Sequence, residues 1–272
     1  LMGAGIAYVS IDNGIAVRLK DRDAPSVGKG LQYVSDILDK RVKRRRLRRP
    51  ERNERLAQLS LSTDYSGMRK VELVIEAVFE DLGVKREVFQ TLDTVCDPAA
   101  ILATNTSSLS VTQIAAATPH PSRVIGAHFF NPPHIVKLLE IVVAAQTDAE
   151  TLTRLKAYGA RLNREMIVVK DSPGFATSRL GLTLGLEAIR MLEEGVASAE
   201  DIDRAMELGY RHPMGPLKLT DLVGLDTRLK IAEYLHEVLG TERFRPPELL
   251  RQLVAEGKLG KKSGQGFYTW NG

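Results

Sequence analysis

Over its first 171 residues the chain alternates short β-branched runs with stretches of helical spacing, and no other feature restricts its fold as strongly. "IAVRLKD", "LSLSTDY", "VELVIEAVF", "AILATN", "RVIGAHFF", "KLLEIVVA" and "MIVVKD" read as strands. Between them lie helical stretches. "GIAYVSIDNG" closes near Asn13-Gly14, and a long polar helix runs from about Ser26 to Arg48, with Pro50 marking its end or a break. "VKREVFQTLDTVC" and a stretch from about Asp148 to Leu162 are the others. Such alternation predicts an α/β fold with a doubly wound sheet. The dense run "VELVIEAVF" fits a strand buried on both faces of a parallel sheet. After Asp171 the pattern turns helical. "SAEDIDRAMELG" has Ser198 as N-cap and Gly209 as its stop, and "LTDLVGLDTRLKIAEYLHEVLG" and "PPELLRQLVAEGKLG" each close on glycine. Only "GQGFYTW" suggests a late strand. Two domains are therefore expected, 1–171 and 172–272. The apolar richness of "LGLTLGLEAIRML" exceeds one buried stripe and predicts burial against another chain.

At the head of the first helix, Gly3 and Gly5 form a small-residue turn. Free backbone N–H groups and the helix dipole make such a turn a seat for phosphate, although alone it is equally a tight bend with close packing. Asp21 closes the next strand, where a carboxylate can accept hydrogen bonds from both ribose hydroxyls of an adenosine. It favours NAD over NADP by repelling a 2′-phosphate, and the neighbouring Arg22 works the other way. Together the glycines and Asp21 point to a dinucleotide.

Composition narrows the partners. The chain is 43% hydrophobic and carries a net charge of +4, ordinary for a globular protein with a sizeable core. No apolar run approaches the roughly 20 residues that span a bilayer. A single cysteine, Cys96, leaves no internal disulfide and predicts a reducing compartment, the cytoplasm. Residues 40–55 hold ten Lys/Arg against two Glu, a net of +8, leaving −4 for the rest. That basic stretch is a solvated face, a seat for the phosphates of a small ligand, or a nucleic-acid contact. The last lacks interleaved aromatics and any recognition motif, so no nucleic-acid partner is expected. No His/Cys cluster has metal-ligand spacing, so no metal is expected.

Of five histidines, His128 ends the strand "VIGAHFF", on the carboxyl side of the sheet where ligands bind. Its pKa range suits a general base for a hydroxyl proton. Glu140 is an acid inside the apolar strand "LLEIV". Such an acid is costly unless paired. If strands 124–129 and 137–143 are neighbours, Glu140 can hold the His128 ring and stabilise an imidazolium. Otherwise Glu140 is an edge-strand acid facing solvent.

"LMGAGIA", "IEAVFEDLGVKREVF", "ATNTSSLSV", "GAHFFNPP", "LLEIV", "DSPGF" and "GKKSGQGFY" occur in the order and spacing of the L-3-hydroxyacyl-CoA dehydrogenase family, which the whole chain resembles. Its first half is most similar to the dehydrogenase region of the multifunctional fatty-acid oxidation enzyme. The helical half is closer to stand-alone enzymes acting on 3-hydroxybutyryl-CoA. In that family a strand of about six residues leads into a G-x-G-x-M-G turn, of which Leu1, Met2 and Gly3 match the last three letters. The resemblance therefore implies a chain cut from a longer polypeptide, or truncated.

The resemblance implies a Rossmann-type NAD-binding domain followed by a helical domain for substrate and dimerisation. It implies the His128–Glu140 pair as base and orienter, and Ser107 as the residue that hydrogen-bonds the substrate oxygen beside the nicotinamide. Met2, Gly3, Asp21, Val78, Phe79, Glu80, Lys85, Asn131 and, less directly, Lys262 match cofactor positions. Arg45, with Arg44 and Arg46, falls where the family holds the adenosine end of coenzyme A. One position departs from the pattern: the family has Asn three residues beyond the Phe of "PGF", and this chain has Ser178. The expected function is reversible NAD-dependent oxidation of an L-3-hydroxyacyl-CoA to the 3-oxoacyl-CoA in fatty-acid β-oxidation or related acyl-CoA metabolism. A homodimer, or a part of a multifunctional polypeptide, would carry it. The competing expectations are a relative acting on a free hydroxy acid, and a weak or silent dinucleotide-binding module lacking its first strand.

Overall fold

The computed structural model describes residues 2–270; Leu1, the first letter of the matched turn, lies outside them. The chain divides into two compact units, Leu1–Asp171 and Ser172–Gly272.

In the first unit the elements run α1 (Met2–Asp12), β1 (Val17–Lys20), α2 (Ala24–Lys43), α3 (Arg49–Ala57), β2 (Leu59–Ser62), β3 (Leu73–Glu76) and α4 (Leu82–Val95). They continue with β4 (Ile101–Thr104), α5 (Val111–Ala115), β5 (Val124–Phe129), β6 (Leu138–Val143), α6 (Ala149–Arg161) and β7 (Glu165–Lys170). Strands β1 and β2 form a parallel pair, and β3 to β7 form a five-stranded sheet in sequence order. The sheet is mixed, not wholly parallel: β6 runs antiparallel to β5, and β7 follows β6 in parallel. Residues 130–137 are too few for a parallel crossover, which needs a dozen or more.

Two local readings of the sequence in this unit are corrected here. Met2, Gly3 and Gly5 already belong to α1 and not to a turn before it. A Cβ on Gly5 would sit 2.8 Å from the Pro133 ring, so close approach of the loop requires glycine there. The long polar helix is two helices. α2 is capped by Asp23, whose carboxylate accepts from the Ser26 N–H, and it buries Val27, Val34 and Leu38 on one stripe. It stops at Lys43, and Arg45 takes a left-handed φ of 56°. Pro50 then stands in the first turn of α3, where its missing N–H costs nothing, and Glu51 reaches back to the Arg48 N–H.

The core of this unit joins Ile6, Val9 and Ile11 of α1 to Ile101, Ile125, Ile141 and Leu155. Burying each such side chain contributes about 1.5–3 kcal/mol.

The second unit holds α7 (Thr177–Glu193), α8 (Ala199–Arg204), α9 (Pro216–Val223), α10 (Leu225–Leu239) and α11 (Glu248–Ala255). "LTDLVGLDTRLKIAEYL" is split at Gly224, whose φ of 104° ends α9 and starts α10. "GQGFYTW" forms isolated bridges only, not a strand. The fully buried Asp221 organises it instead, accepting from the N–H groups of Phe267 and Tyr268 and from the Trp270 indole. Among the described residues no helix is long and apolar enough to cross a membrane.

Candidate active site

Antiparallel register places His128 of β5 directly opposite Glu140 of β6. Directly opposed residues project to the same face. The Glu140 carboxylate has no exposed surface, and His128 is 6% exposed. The ring Nδ1 lies 2.8 Å from Glu140 Oε2. With the carboxylate accepting the Nδ1 proton, the basic atom of the neutral ring is Nε2. The His128 ring also packs against Phe130, tilted by 44° with ring centroids 4.4 Å apart. A general base held by a buried acid is what this geometry offers chemically.

The turn after β4 stands beside the end of β5, because the Phe129 N–H donates to Asn105 Oδ1 at 2.8 Å. Ser107 follows in that turn. Glu80 Oε1 accepts from the Thr106 hydroxyl at 2.6 Å, the Ser107 N–H at 2.9 Å and the Ser107 hydroxyl at 3.2 Å. One carboxylate thus fixes both ends of the Thr106–Ser107 step.

Behind Glu80 is a second acid. Glu76, the last residue of β3, accepts from Lys85 Nζ at 2.8 and 3.1 Å and from the Thr104 hydroxyl at 2.8 Å. Lys85 is fully buried, and its ammonium also lies 3.4 Å from Glu80 Oε2. Lys85, which the resemblance places where cofactor or coenzyme A is reached, is thus held inward by Glu76. A buried ammonium needs a compensating carboxylate, and Glu76 supplies it. Glu76, Thr104 and Asn105 were not singled out in the sequence. Glu76 carries the same signature as Glu140, an acid inside the apolar run "VIEAV".

Met2, Gly3, Asp21, Val78 and Phe79 all line one cleft of about 1840 Å³. Asp21 is exposed just beyond β1 and accepts from the Arg22 N–H, while the Arg22 guanidinium pairs with Asp23. Phe79 is 78% exposed. A helix amino end, a strand-end carboxylate and an exposed aromatic on one cleft fit a dinucleotide. Asn131 is exposed after β5, and Glu80, Lys85, Ser107 and Asn131 do not line that cleft.

Arg45 is exposed in the link between α2 and α3. Part of the basic stretch turns inward: Arg41 holds Asp12 at 2.6 Å, and Arg52 holds Asp39 at 3.0 Å. Ser178 and Lys262 belong to the helical unit. Ser178 stands in the first turn of α7, and Lys262 donates to Asp226 at the head of α10. Burial works to raise the Asp226 carboxyl, but the Lys262 hydrogen bond outweighs it and holds it below its ordinary range. Among the described residues no group of His, Cys, Asp or Glu could hold a metal.

Residues 1–172 match the family model of the 3-hydroxyacyl-CoA dehydrogenase NAD binding domain, and residues 174–270 match that of its C-terminal domain. The chain belongs to the 3-hydroxyacyl-CoA dehydrogenase family. It is 41% identical over 271 residues to a 3-hydroxybutyryl-CoA dehydrogenase of Mycobacterium tuberculosis, covering 99% of this chain and 95% of that one. It is 40% identical over 277 residues to the mitochondrial hydroxyacyl-coenzyme A dehydrogenase of Sus scrofa, covering 99% and 88%. The crystal structure of (S)-3-hydroxybutyryl-CoA dehydrogenase from Ralstonia eutropha superposes with a TM-score of 0.95 at 37% identity, covering 99% of this chain and 95% of that one.

Proposed function

We propose that this chain catalyses the reversible, NAD-dependent oxidation of an L-3-hydroxyacyl-CoA to the 3-oxoacyl-CoA. The observation that carries the reading is the His128–Glu140 contact across two paired strands. His128 Nε2 takes the proton of the substrate hydroxyl as its carbon–oxygen bond becomes a carbonyl. Glu140 keeps Nδ1 protonated and stabilises the imidazolium that forms, so the ring can later return its proton. Ser107, fixed by Glu80, hydrogen-bonds the reacting oxygen. NAD, when bound, accepts the hydride from the substrate carbon. For that cofactor the amino end of α1 at Met2 and Gly3 would offer N–H groups to phosphate, Asp21 would accept from the ribose, and Val78 and Phe79 line the same cleft. Asn131 and Lys262 are further cofactor contacts by family resemblance.

For the coenzyme A end, the exposed Arg45 with Arg44 and Arg46 provides the cationic surface. Ser178 takes the place of the family's Asn beside the acyl group. The exposed apolar residues of the helical unit favour a homodimer, and the lone buried Cys96 is in keeping with the cytoplasm. The family's named members are dehydrogenases, which does not favour a silent module. The test is direct: purified protein with acetoacetyl-CoA should consume NADH, while free acetoacetate at the same concentration should not. Consumption with the free acid only, or with neither, refutes the proposal.

A further inference from the structure

Four lysine and arginine side chains are buried among the described residues: Lys85, Arg123, Arg164 and Arg228. The first three have acceptors. Lys85 is held by Glu76, Arg123 by Asp93 and the Asp97 carbonyl, and Arg164 by the Val136 carbonyl. Arg228 of α10 is 7% exposed, and its Nε is sealed from solvent without a partner. Burial pushes its pKa down to about 10, and no hydrogen bond or neighbouring charge offsets that. It is still a cation at neutral pH. An uncompensated buried charge is strongly destabilising, so the side chain calls for an anion.

Arg228 also occupies a core position. With Leu225, Ala232 and Leu235 it forms the buried stripe of α10, at the spacing that turns one helix face inward. Those three neighbours belong to the apolar core of the helical unit. Opposite stands α7. Arg228 Nη1 is 3.7 Å from the ideal Cβ position of Gly181, which has no side chain to cover the guanidinium. The buried acids of this unit are engaged elsewhere. Asp203 accepts from the N–H groups of Leu217 and Lys218, and Asp221 holds the Phe267 and Tyr268 N–H groups and the Trp270 indole. Asp226, two residues before Arg228, takes Lys262.

The position of Arg228 on α7 says what could bring the anion. Gly181 follows Ser178 by three residues, so the two share one face of α7, about 4.5 Å apart along its axis. The first turn, with Ser178, is also the positive pole of this 17-residue helix. From an acyl group beside Ser178, about three or four further carbon–carbon bonds cover the distance to Gly181.

We infer that Arg228 determines specificity at the acyl end: it binds a carboxylate at the far end of the acyl chain, so the preferred substrate class is the L-3-hydroxyacyl-CoA of a dicarboxylic acid. The inference rests on the dehydrogenase reading, with Ser178 beside the acyl group, and names the substrate class of that site. A guanidinium fork matches a carboxylate in geometry as well as in charge. An alkyl end in the same place leaves the cation unpaired, so the site selects against it.

The test is kcat/KM, with NADH, for a matched pair of thioesters: 3-oxohexanoyl-CoA and the analogue whose terminal methyl is a carboxylate. Wild type should favour the carboxylate by at least about 10²-fold. Arg228→Met should lose that preference, falling on the carboxylate and gaining on the methyl compound. Arg228→Lys, which keeps the charge without the fork, should lie between. With the unpaired cation gone, Arg228→Met should also unfold at a higher urea concentration than wild type. Equal use of the pair by wild type overturns the inference, and turnover of acetoacetyl-CoA beside it leaves the dehydrogenase reading standing. A preference that survives in Arg228→Met overturns the inference too. So does a lower urea midpoint for that variant, or its conversion from dimer to monomer, since either places the anion within the protein or in a second copy. No turnover of any thioester refutes both readings.

Discussion

Lys85 and Glu76 are a cation and an anion with almost no exposed surface, nine residues apart in the chain and joined by two short hydrogen bonds. Removing one member leaves an uncompensated buried charge, whereas replacing both by neutral groups of similar volume does not. Lys85→Met should therefore lower unfolding stability by about 3–5 kcal/mol, read by urea denaturation, and the Glu76→Gln/Lys85→Met double variant should recover most of that loss. Equal loss in both would show that the pair is not coupled. How far such residues can be read from sequence follows from the same physics. Glu140 was legible because an acid among Leu, Ile and Val demands a partner, and His128 because it ends a strand. Lys85 drew notice only through the family resemblance, because a lysine on a polar helix is otherwise read as solvated. Only the fold turns its ammonium toward Glu76.

At the scale of elements, the strands were legible as β-branched runs, while helix breaks were not. Proline both stops one helix and starts the next, so Pro50 could not by itself separate the two outcomes. The antiparallel turn from β5 to β6 was in principle readable from the short 130–137 connection. α4 is braced to the start of β5 through Asp93, which accepts from Arg123 Nη2 and His120 Nδ1, both at 3.0 Å. Burial works to raise the Asp93 carboxyl, but hydrogen bonds from Arg123 and then His120 outweigh it and hold it below the ordinary range. A folded-state value below the unfolded one gives stability that is present above about pH 4 and lost as pH falls through the folded value. Asp93→Asn should lower stability at pH 7 by about 1–3 kcal/mol, with the difference from wild type shrinking below pH 4. A difference that is constant from pH 7 to pH 3 would show that the carboxylate charge plays no part.

At the scale of the whole molecule, the helical unit exposes large apolar side chains, with Leu180, Leu208 and Tyr210 each more than 70% exposed. Such exposure is what the proposed homodimer would cover. Light scattering should give twice the 30.0 kDa chain mass, and Leu180→Lys with Leu208→Lys should shift it to one. A monomer at micromolar concentration, unchanged by these substitutions, would refute the homodimer. The apolar excess of this half was legible in sequence; which face stays uncovered was not, because that depends on how α7 to α11 pack.

The chemistry itself is tested most directly by turnover of acetoacetyl-CoA with NADH in wild type, His128→Gln, Glu140→Gln and the double variant. Two groups acting as one base–orienter unit give non-additive losses. Each single variant should lose about 10²–10⁴-fold in kcat, and the double variant should lose no more than His128→Gln alone. Losses that multiply, or near-normal turnover in His128→Gln, would contradict a proton carried by that imidazole.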